Sequence, residues 1–337
     1  MVTRRDVARK AGTSEAVVSY VLNDGPRNVA PATRARVEEA IRELGYRANT
    51  LARSLRLNRT MTIGLVTPDS SHEFYGYLAR AIENVAFDAG YTTLLGNAME
   101  NLDREAKYVR TLLDRQVDGL IVAPVPGSTV VSAELAQGTI PFVILDRGLA
   151  DEHVVQVTVD NEGGAYEATE HLLGHGRKRV ACLAGPETAH TIHARVSGWR
   201  RCLADHGVDP GAMWLTYGGF RLEDGYRAAA RILASDEPPD AIFATSDEQA
   251  LGAIRAAVDR GLHVPEALAL MGFDGIHRGP FSVPSLSTVQ QPLEALAEEA
   301  FGRLKTRIDG APAAEVPPRV FATELVLRES CGCSGGP

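Results

Sequence analysis

Acidic and hydroxyl side chains recur in this sequence just after short apolar runs. Asp69 and Ser70 follow TIGLVTP, with Phe74 close behind; Asp146 ends PFVILD; Asp160 follows VVQVTV; Ser246 and Asp247 follow AIFAT; Asp274 stands in GFDG. Phe220 falls in a GGF loop between these runs, and arginines lie among them. Carboxylates accept from paired hydroxyls, a guanidinium donates in a fixed fork, and an aromatic ring covers an apolar face. Such a set suits a sugar. Strand-end aspartates also cap helices, and that reading applies to Asp146, Asp160 and Asp247. Nothing pairs the carboxylates as acid and base, and no Walker A, GxGxxG, GxSxG or HExxH pattern occurs. The expected chemistry is binding rather than catalysis, with no cofactor.

The elements that would hold these residues alternate. Apolar runs predict strands over Thr62–Pro68, Tyr91–Gly96, Asp118–Pro124, Pro141–Asp146 and Val154–Val159, with helices over Phe74–Ala89, Asp103–Asp114 and Thr129–Ala136. The pattern restarts with helices over Gly163–Gly174 and Arg195–His206 around a strand at Val180–Ala184. Later strands are expected near Ala241–Ala244, Ala269–Phe273 and Phe321–Leu327, and helices over Glu248–Arg260 and Leu293–Ile308. Such alternation predicts α/β lobes with parallel sheets covered on both faces. Two units imply a cleft at the carboxyl ends of their strands.

A different pattern precedes Met61. Thr3 and Asp6 form a capping box ahead of Val7, Ala8 and Ala11, and Gly12 ends that helix. Ser14 caps a second helix running to about Asn23, with Val17, Val18, Val21 and Leu22 inward. Pro31 opens a third helix through Leu44, with Val37, Ala40, Ile41 and Leu44 on one face. The first pair reads as a helix-turn-helix whose second helix presents Glu15, Ala16, Ser19, Tyr20 and Asn23. Glu15 suits a cytosine amino group and Ala16 a thymine methyl. Ser19 and Asn23 suit phosphates or bases. Thr3, Ser14 and Thr33 sit at helix starts that favour phosphate, beside Arg34.

Charge agrees with that division. Residues 1–60 carry twelve Lys or Arg against six Asp or Glu, whereas the whole chain of 337 residues is at −8, leaving −14 beyond residue 60. A basic head on an acidic body is expected to meet nucleic acid through the head. No stretch of eighteen apolar residues appears, the N-terminus has no apolar signal core, and four cysteines suggest no disulfide framework. The expectation is a cytoplasmic protein with no membrane partner.

The runs TRRDVARKAGTSEAVVSYVLN, ELGYRANTLARSL and TIGLV, in this order and spacing, resemble the LacI (lactose repressor) family of transcriptional regulators. The likeness covers nearly the whole chain, and its hinge and NLDREAKYVRTLLDRQVDGLIV stretch are most similar to the purine repressor branch. The resemblance implies a helix-turn-helix headpiece at 1–46, a hinge at 47–60 and a two-lobed, periplasmic-binding-protein-like type I core at 61–337. Lobe 1 would comprise about 61–159 and 288–320, lobe 2 about 160–287 and 321–330, with 331–337 a tail. It implies a homodimer on a pseudo-palindromic double-stranded operator, with Leu51, Ala52 and Arg53 on the hinge helix and Leu55 wedged into the minor groove. It implies a small-molecule effector held by Arg195 and Asp274, with Thr191 retained. Where purine repressors stack an arginine on the base, this chain has Ala189, so a sugar is expected rather than a nucleobase. Tyr20 replaces a side chain that is basic in many relatives, which points to a different half-site.

Two signals are set aside. His171 and His175 share a helix face but lack a third ligand at suitable spacing, and Cys331-Gly-Cys333 reads as a disordered terminus without partner ligands. The rival reading of the whole is a cytosolic sugar-binding protein or sugar-processing enzyme with an incidental helical head.

Overall fold

The computed structural model describes residues 2–22, 27–47, 59–129, 140–146, 155–209, 214–311 and 317–334. The chain divides into two compact units, Met1–Thr60 and Met61–Pro337.

In the first unit, α1 (Arg4–Ala11) begins at the expected capping box. Thr3 Oγ1 accepts from the Asp6 N–H at 3.3 Å, and Asp6 Oδ2 accepts from the Thr3 N–H at 3.0 Å. Gly12 ends the helix at φ 63°, a left-handed conformation that costs glycine no steric penalty. Ser14 then accepts from the Val17 N–H at 3.3 Å and starts α2 (Glu15–Leu22). Pro31 opens α3 (Pro31–Leu44). Val7, Ala8, Ala11, Val18, Val21, Val37 and Ala40 form the core of this unit, with Leu22, Ile41 and Leu44 packed at its margin. Val17 and Leu22 are half-buried, so the inward face of α2 is narrower than its four apolar residues suggest.

The second unit holds two six-stranded sheets. The first contains β1 (Thr62–Thr67), β2 (Thr92–Asn97), β3 (Gly119–Val122), β4 (Phe142–Leu145), β5 (Gln156–Val159) and β11 (Arg319–Phe321), in the order β11-β5-β4-β3-β1-β2. Helices α4 (Glu73–Asp88), α5 (Leu102–Asp114) and α10 (Leu293–Ile308) pack against it. The second contains β6 (Val180–Ala184), β7 (Leu215–Tyr217), β8 (Ala241–Ala244), β9 (Ala269–Asp274), β10 (Ser287–Gln290) and β12 (Glu324–Val326), in the order β12-β10-β9-β8-β6-β7. It carries α6 (Asn161–Gly174), α7 (His190–Asp205), α8 (Leu222–Ile232) and α9 (Asp247–Asp259). All described pairings are parallel except β10 with β12. The central strands are fully buried, as strands covered on both faces must be.

The chain crosses between lobes three times: after β5, after β10 and between β11 and β12. This corrects the expected lobe limits. Residues 288–290 pair with β9 in the second lobe, and Phe321 pairs with Val159 in the first. The single final strand expected over Phe321–Leu327 is two three-residue strands, one in each sheet. Helix α7 starts five residues earlier than expected, because its first turn (His190 to His193) sets a single apolar residue, Ile192, among polar ones and so hides the apolar period. The strands β7 and β10 and the helix α8 were not anticipated. The helix expected at Thr129–Ala136 lies outside the described residues, apart from Thr129 itself.

Candidate functional site

On the first unit, α2 turns Glu15 and Ala16 to solvent, with Ser19 and Tyr20 half-exposed, while Val18 and Val21 are buried. The helix is thus anchored by one side and open on the other. Thr3 and Ser14 are engaged as caps. Thr33 accepts from Arg36 Nη2 at 3.4 Å, and Arg34 lies 3.9 Å from Glu38. Asn23, Leu51, Ala52, Arg53 and Leu55 lie outside the described residues.

On the second unit, a narrow cavity between the lobes is lined by His72, Phe74, Tyr75, Asp146, Thr191, Arg195, Phe220 and Asp274. Its free interior is about 10 Å³, room for about one water molecule. Arg195, buried on α7, donates from Nε to Asn161 Oδ1 at 2.8 Å, and from Nη1 to the Thr245 carbonyl at 2.6 Å and Asp274 Oδ1 at 3.3 Å. Its guanidinium lies 3.6 Å from the centre of the Phe273 ring. This fixes the plane of the fork, and none of the three bonds uses Nη2. Asp274 Oδ1 also accepts from Gln291 Nε2 at 2.8 Å. Burial holds the Asp274 carboxyl well above the ordinary carboxylate range; Arg195 opposes the shift, and the charges of Asp247 and Asp146 add to it.

Asp146 faces Asp274 across the cleft. Its Oδ2 accepts from the Tyr75 hydroxyl at 2.7 Å, while its buried Oδ1 has no hydrogen-bond partner among the described residues. Asp146 and Asp274 both adopt positive φ, 63° and 123°, conformations that non-glycine residues rarely hold without compensation. Asp146 thus brings a buried acceptor without a partner among the described residues to the wall of the cavity.

The other expected residues divide. Asp160 is an exposed N-cap, accepting from the Gly163 N–H at 2.8 Å, so its cleft role is corrected to helix capping. Asp247 is fully buried and accepts from the N–H groups of Gly275 and Ile276, both at 2.8 Å, and from the Thr288 hydroxyl at 2.6 Å. It fastens the loop after β9 and does not line the cavity. Burial pushes its carboxyl up to about 7. Ser246 caps α9 and donates to the Phe220 carbonyl at 3.3 Å, a supporting position. The Ser70 N–H donates to Asn97 Oδ1 at 3.2 Å, outside the lining.

Asp69 joins the lobes: its Oδ2 accepts from Arg221 Nη2 at 2.8 Å, and its Oδ1 from the N–H and hydroxyl of Ser71. Burial opposes ionisation here, but those bonds and the Arg221 charge outweigh it and hold the carboxyl below its ordinary value. A second tie was not anticipated. Arg278 pairs with Glu73 Oε2 and reaches Glu248 Oε1 at 3.5 Å, while the Glu73 N–H donates to Glu248 Oε1 at 3.0 Å. His277 stacks on Tyr77 beside it, ring centres 4.0 Å apart. His72, Tyr75 and Asn161 were also missed. Tyr75 could have been found from its place beside Phe74, since a hydroxyl at the cleft would be useful to Asp146.

The set-aside residues meet as well. Cys331 is fully buried, and with Cys333 it lies against His171 and His175. The reading of a disordered terminus without partner ligands is corrected on that account. No helix of the described residues is long and apolar enough to cross a membrane.

Comparison with known proteins matches residues 3–49 to the family described as bacterial regulatory proteins, lacI family, and residues 60–324 to the periplasmic binding proteins and sugar binding domain of LacI family. The HTH-type transcriptional repressor PurR of Erwinia tasmaniensis is 38% identical over 98% of this chain and 97% of its own. The protein of the same name in Escherichia coli O1:K1 / APEC is 35% identical over 97% of each. Among solved structures, the transcriptional regulator CelR–cellobiose complex is similar at TM-score 0.75 and 30% identity, covering 98% of this chain and 100% of that one. The lac repressor dimer bound to operator and the anti-inducer ONPF is similar at TM-score 0.86 and 27% identity, covering 98% and 99%.

Proposed function

This chain belongs to the LacI family of bacterial regulatory proteins, and from that premise we propose that it is a transcriptional repressor whose grip on a pseudo-palindromic operator is set by a sugar or sugar derivative held between its lobes. The observation that carries the DNA reading is the one-sided burial of α2, which leaves Glu15, Ala16, Ser19 and Tyr20 at an open face. A homodimer supplies two such helices to two half-sites, and Leu55 of each hinge is the proposed minor-groove wedge. The effector reading is supported by Arg195 Nη2, the unmet Asp146 Oδ1 and the rings of Phe74 and Phe220, which together offer a donor fork, an acceptor and apolar faces. Ala189, buried at the start of α7, provides no arginine to stack on a base. A solved relative holds cellobiose. Effector binding shifts the two lobes, and that shift alters the spacing of the hinges; such coupling is typically worth about 1–3 kcal/mol.

Two measurements test this. Gel shift on the DNA upstream of the chain's own gene is expected to show tight, salt-sensitive binding that is lost on deleting residues 1–60, while the remainder keeps its melting transition. Equal binding by both forms refutes the regulator reading. A thermal-shift panel of sugars, sugar derivatives and nucleobases is expected to give a rise with a sugar that Arg195→Ala removes. A rise with a nucleobase alone would overturn the sugar assignment.

A further inference from the structure

Four potential metal ligands from two distant parts of the chain converge at the far end of α6. His171 lies in the last turn of that helix and His175 is its C-cap residue, so they sit one turn apart with ring centres 4.6 Å apart. Cys331 and Cys333 come from the C-terminal segment. His171 Nε2 lies 3.3 Å from Cys331 Sγ and 3.6 Å from Cys333 Sγ, and His175 Nε2 lies 3.4 Å from Cys333 Sγ. All four ligand atoms fall within 4.8 Å of one another. A tetrahedral ion with bonds of about 2.3 Å to sulfur and about 2.0 Å to nitrogen requires edges of roughly 3.3–3.8 Å between its ligands. Three of the four sulfur–nitrogen separations lie inside that interval, and the remaining ligand pairs lie within 4.8 Å. We propose that His171, His175, Cys331 and Cys333 form a closed tetrahedral site for a borderline-soft divalent cation, zinc by class, that fastens the C-terminal segment to the end of α6.

The surrounding structure holds the segment in place for this. The Ser330 hydroxyl donates to the Leu270 carbonyl and accepts from the Ser287 N–H, both at 2.8 Å, and the Ser330 N–H donates to the Ser285 carbonyl at 2.9 Å. Glu329 Oε2 accepts from the N–H and hydroxyl of Ser285 at 2.7 and 2.9 Å. These bonds seat a short 3₁₀ turn, Glu329–Cys331, and Gly332 follows at φ 104°, reversing the chain so that both sulfurs return to one point. A Cβ added at Gly332 would stand 3.4 Å from His175 Nδ1. The ligand types are the two that zinc shares between its structural sites, and no position is left over for substrate, so the ion's role is structural. All four cysteines are free, which leaves both thiols available for ligation.

The test uses the full-length chain, reduced and stripped with a chelator. Added cobalt(II) chloride is expected to bind one per chain, giving the strong visible bands of tetrahedral cobalt and a thiolate charge-transfer band, both displaced by zinc chloride. Zinc is also expected to raise the melting temperature and to slow thiol labelling of Cys331 and Cys333 but not of Cys182 or Cys202. Because Cys331 is buried and its replacement can disturb packing, the deciding variants are Cys333→Ser and His175→Gln, which carry the more accessible ligands. Each is expected to keep the unbound protein's melting transition and to weaken cobalt binding by at least about tenfold, the lower bound for disturbing a metal site. A pale octahedral spectrum, binding indifferent to both substitutions, or a Cys331–Cys333 disulfide that forms equally with zinc present would each overturn the proposal.

Discussion

Single residues in this protein separate by what their polar atoms already hold. Asp274 is legible from sequence because it follows a strong apolar run, whereas Arg195 is picked out by the family resemblance of its segment and by no local pattern. Asp247 follows an equally strong run, yet its carboxylate turns away from the cleft and takes two backbone N–H groups and a hydroxyl. Sequence cannot distinguish these cases, since both put an aspartate at a strand end. The burial has a consequence in pH. Asp247 is pushed up to about 7 when folded, against about 4 for an unfolded chain. Between those values the folded protein keeps a proton that the unfolded chain has lost. Its contribution to stability is therefore full below about pH 4 and falls as the pH rises toward 7. Asn at this position accepts the same N–H bonds and can donate to Thr288. Asp247→Asn is thus expected to flatten that part of the pH dependence, read by urea unfolding at several pH values; a slope equal to that of the unaltered chain would contradict it.

At the scale of elements, long periodic segments were read closely and short ones were not. α3 and α10 have the bounds expected from their apolar spacing. The strands β7, β11 and β12 are three residues each, too short for a period of two to show. β10 reads STVQ, a polar run that is buried because Ser287 and Thr288 find partners in Ser330, Arg328 and Asp247. α8 was missed because its buried residues are Gly225, Ala229 and Ile232, a narrow small-residue face rather than a broad apolar stripe. That face allows close approach to α9: a Cβ on Gly252 would meet the Leu222 carbonyl oxygen at 2.1 Å, and one on Gly225 the Gln249 carbonyl oxygen at 2.2 Å. Gly252→Ala is therefore expected to force the pair apart at a cost of about 1–3 kcal/mol, the usual range for overpacking. An unchanged denaturation midpoint would show that the helices have room to spare.

For the whole second unit, what sequence withheld is the long-range meeting of charges. Glu73 and Arg278 are 205 positions apart, and Asp69 and Arg221 152. No local pattern announces either pair. Together they tie the lobes at the rim of the cavity. Arg278 is more than half exposed while Glu73 and Glu248 are nearly covered, so the tie is screened on one side only. Burial raises the Glu248 carboxyl, with the Glu73 N–H and Arg278 opposing the shift and the charges of Glu73 and Asp69 adding to it. Arg278→Ala is expected to weaken effector binding by about three- to tenfold, the size of one partly screened ion pair, mainly through faster release. Calorimetry and stopped-flow measurement with the sugar identified by thermal shift check this, and an unaltered affinity would mean the rim plays no part in holding the cleft shut.

The last crossing of the chain places β11 on the border of one sheet and β12 on the border of the other, with only Ala322 and Thr323 between them. Removing everything past residue 318 would thus strip a protecting outer strand from both halves at once. Each would be left with a row of open backbone donors and acceptors of the kind that recruits foreign chains. Shortened forms of this protein should accordingly fail by clumping before any loss of ligand recognition can be seen.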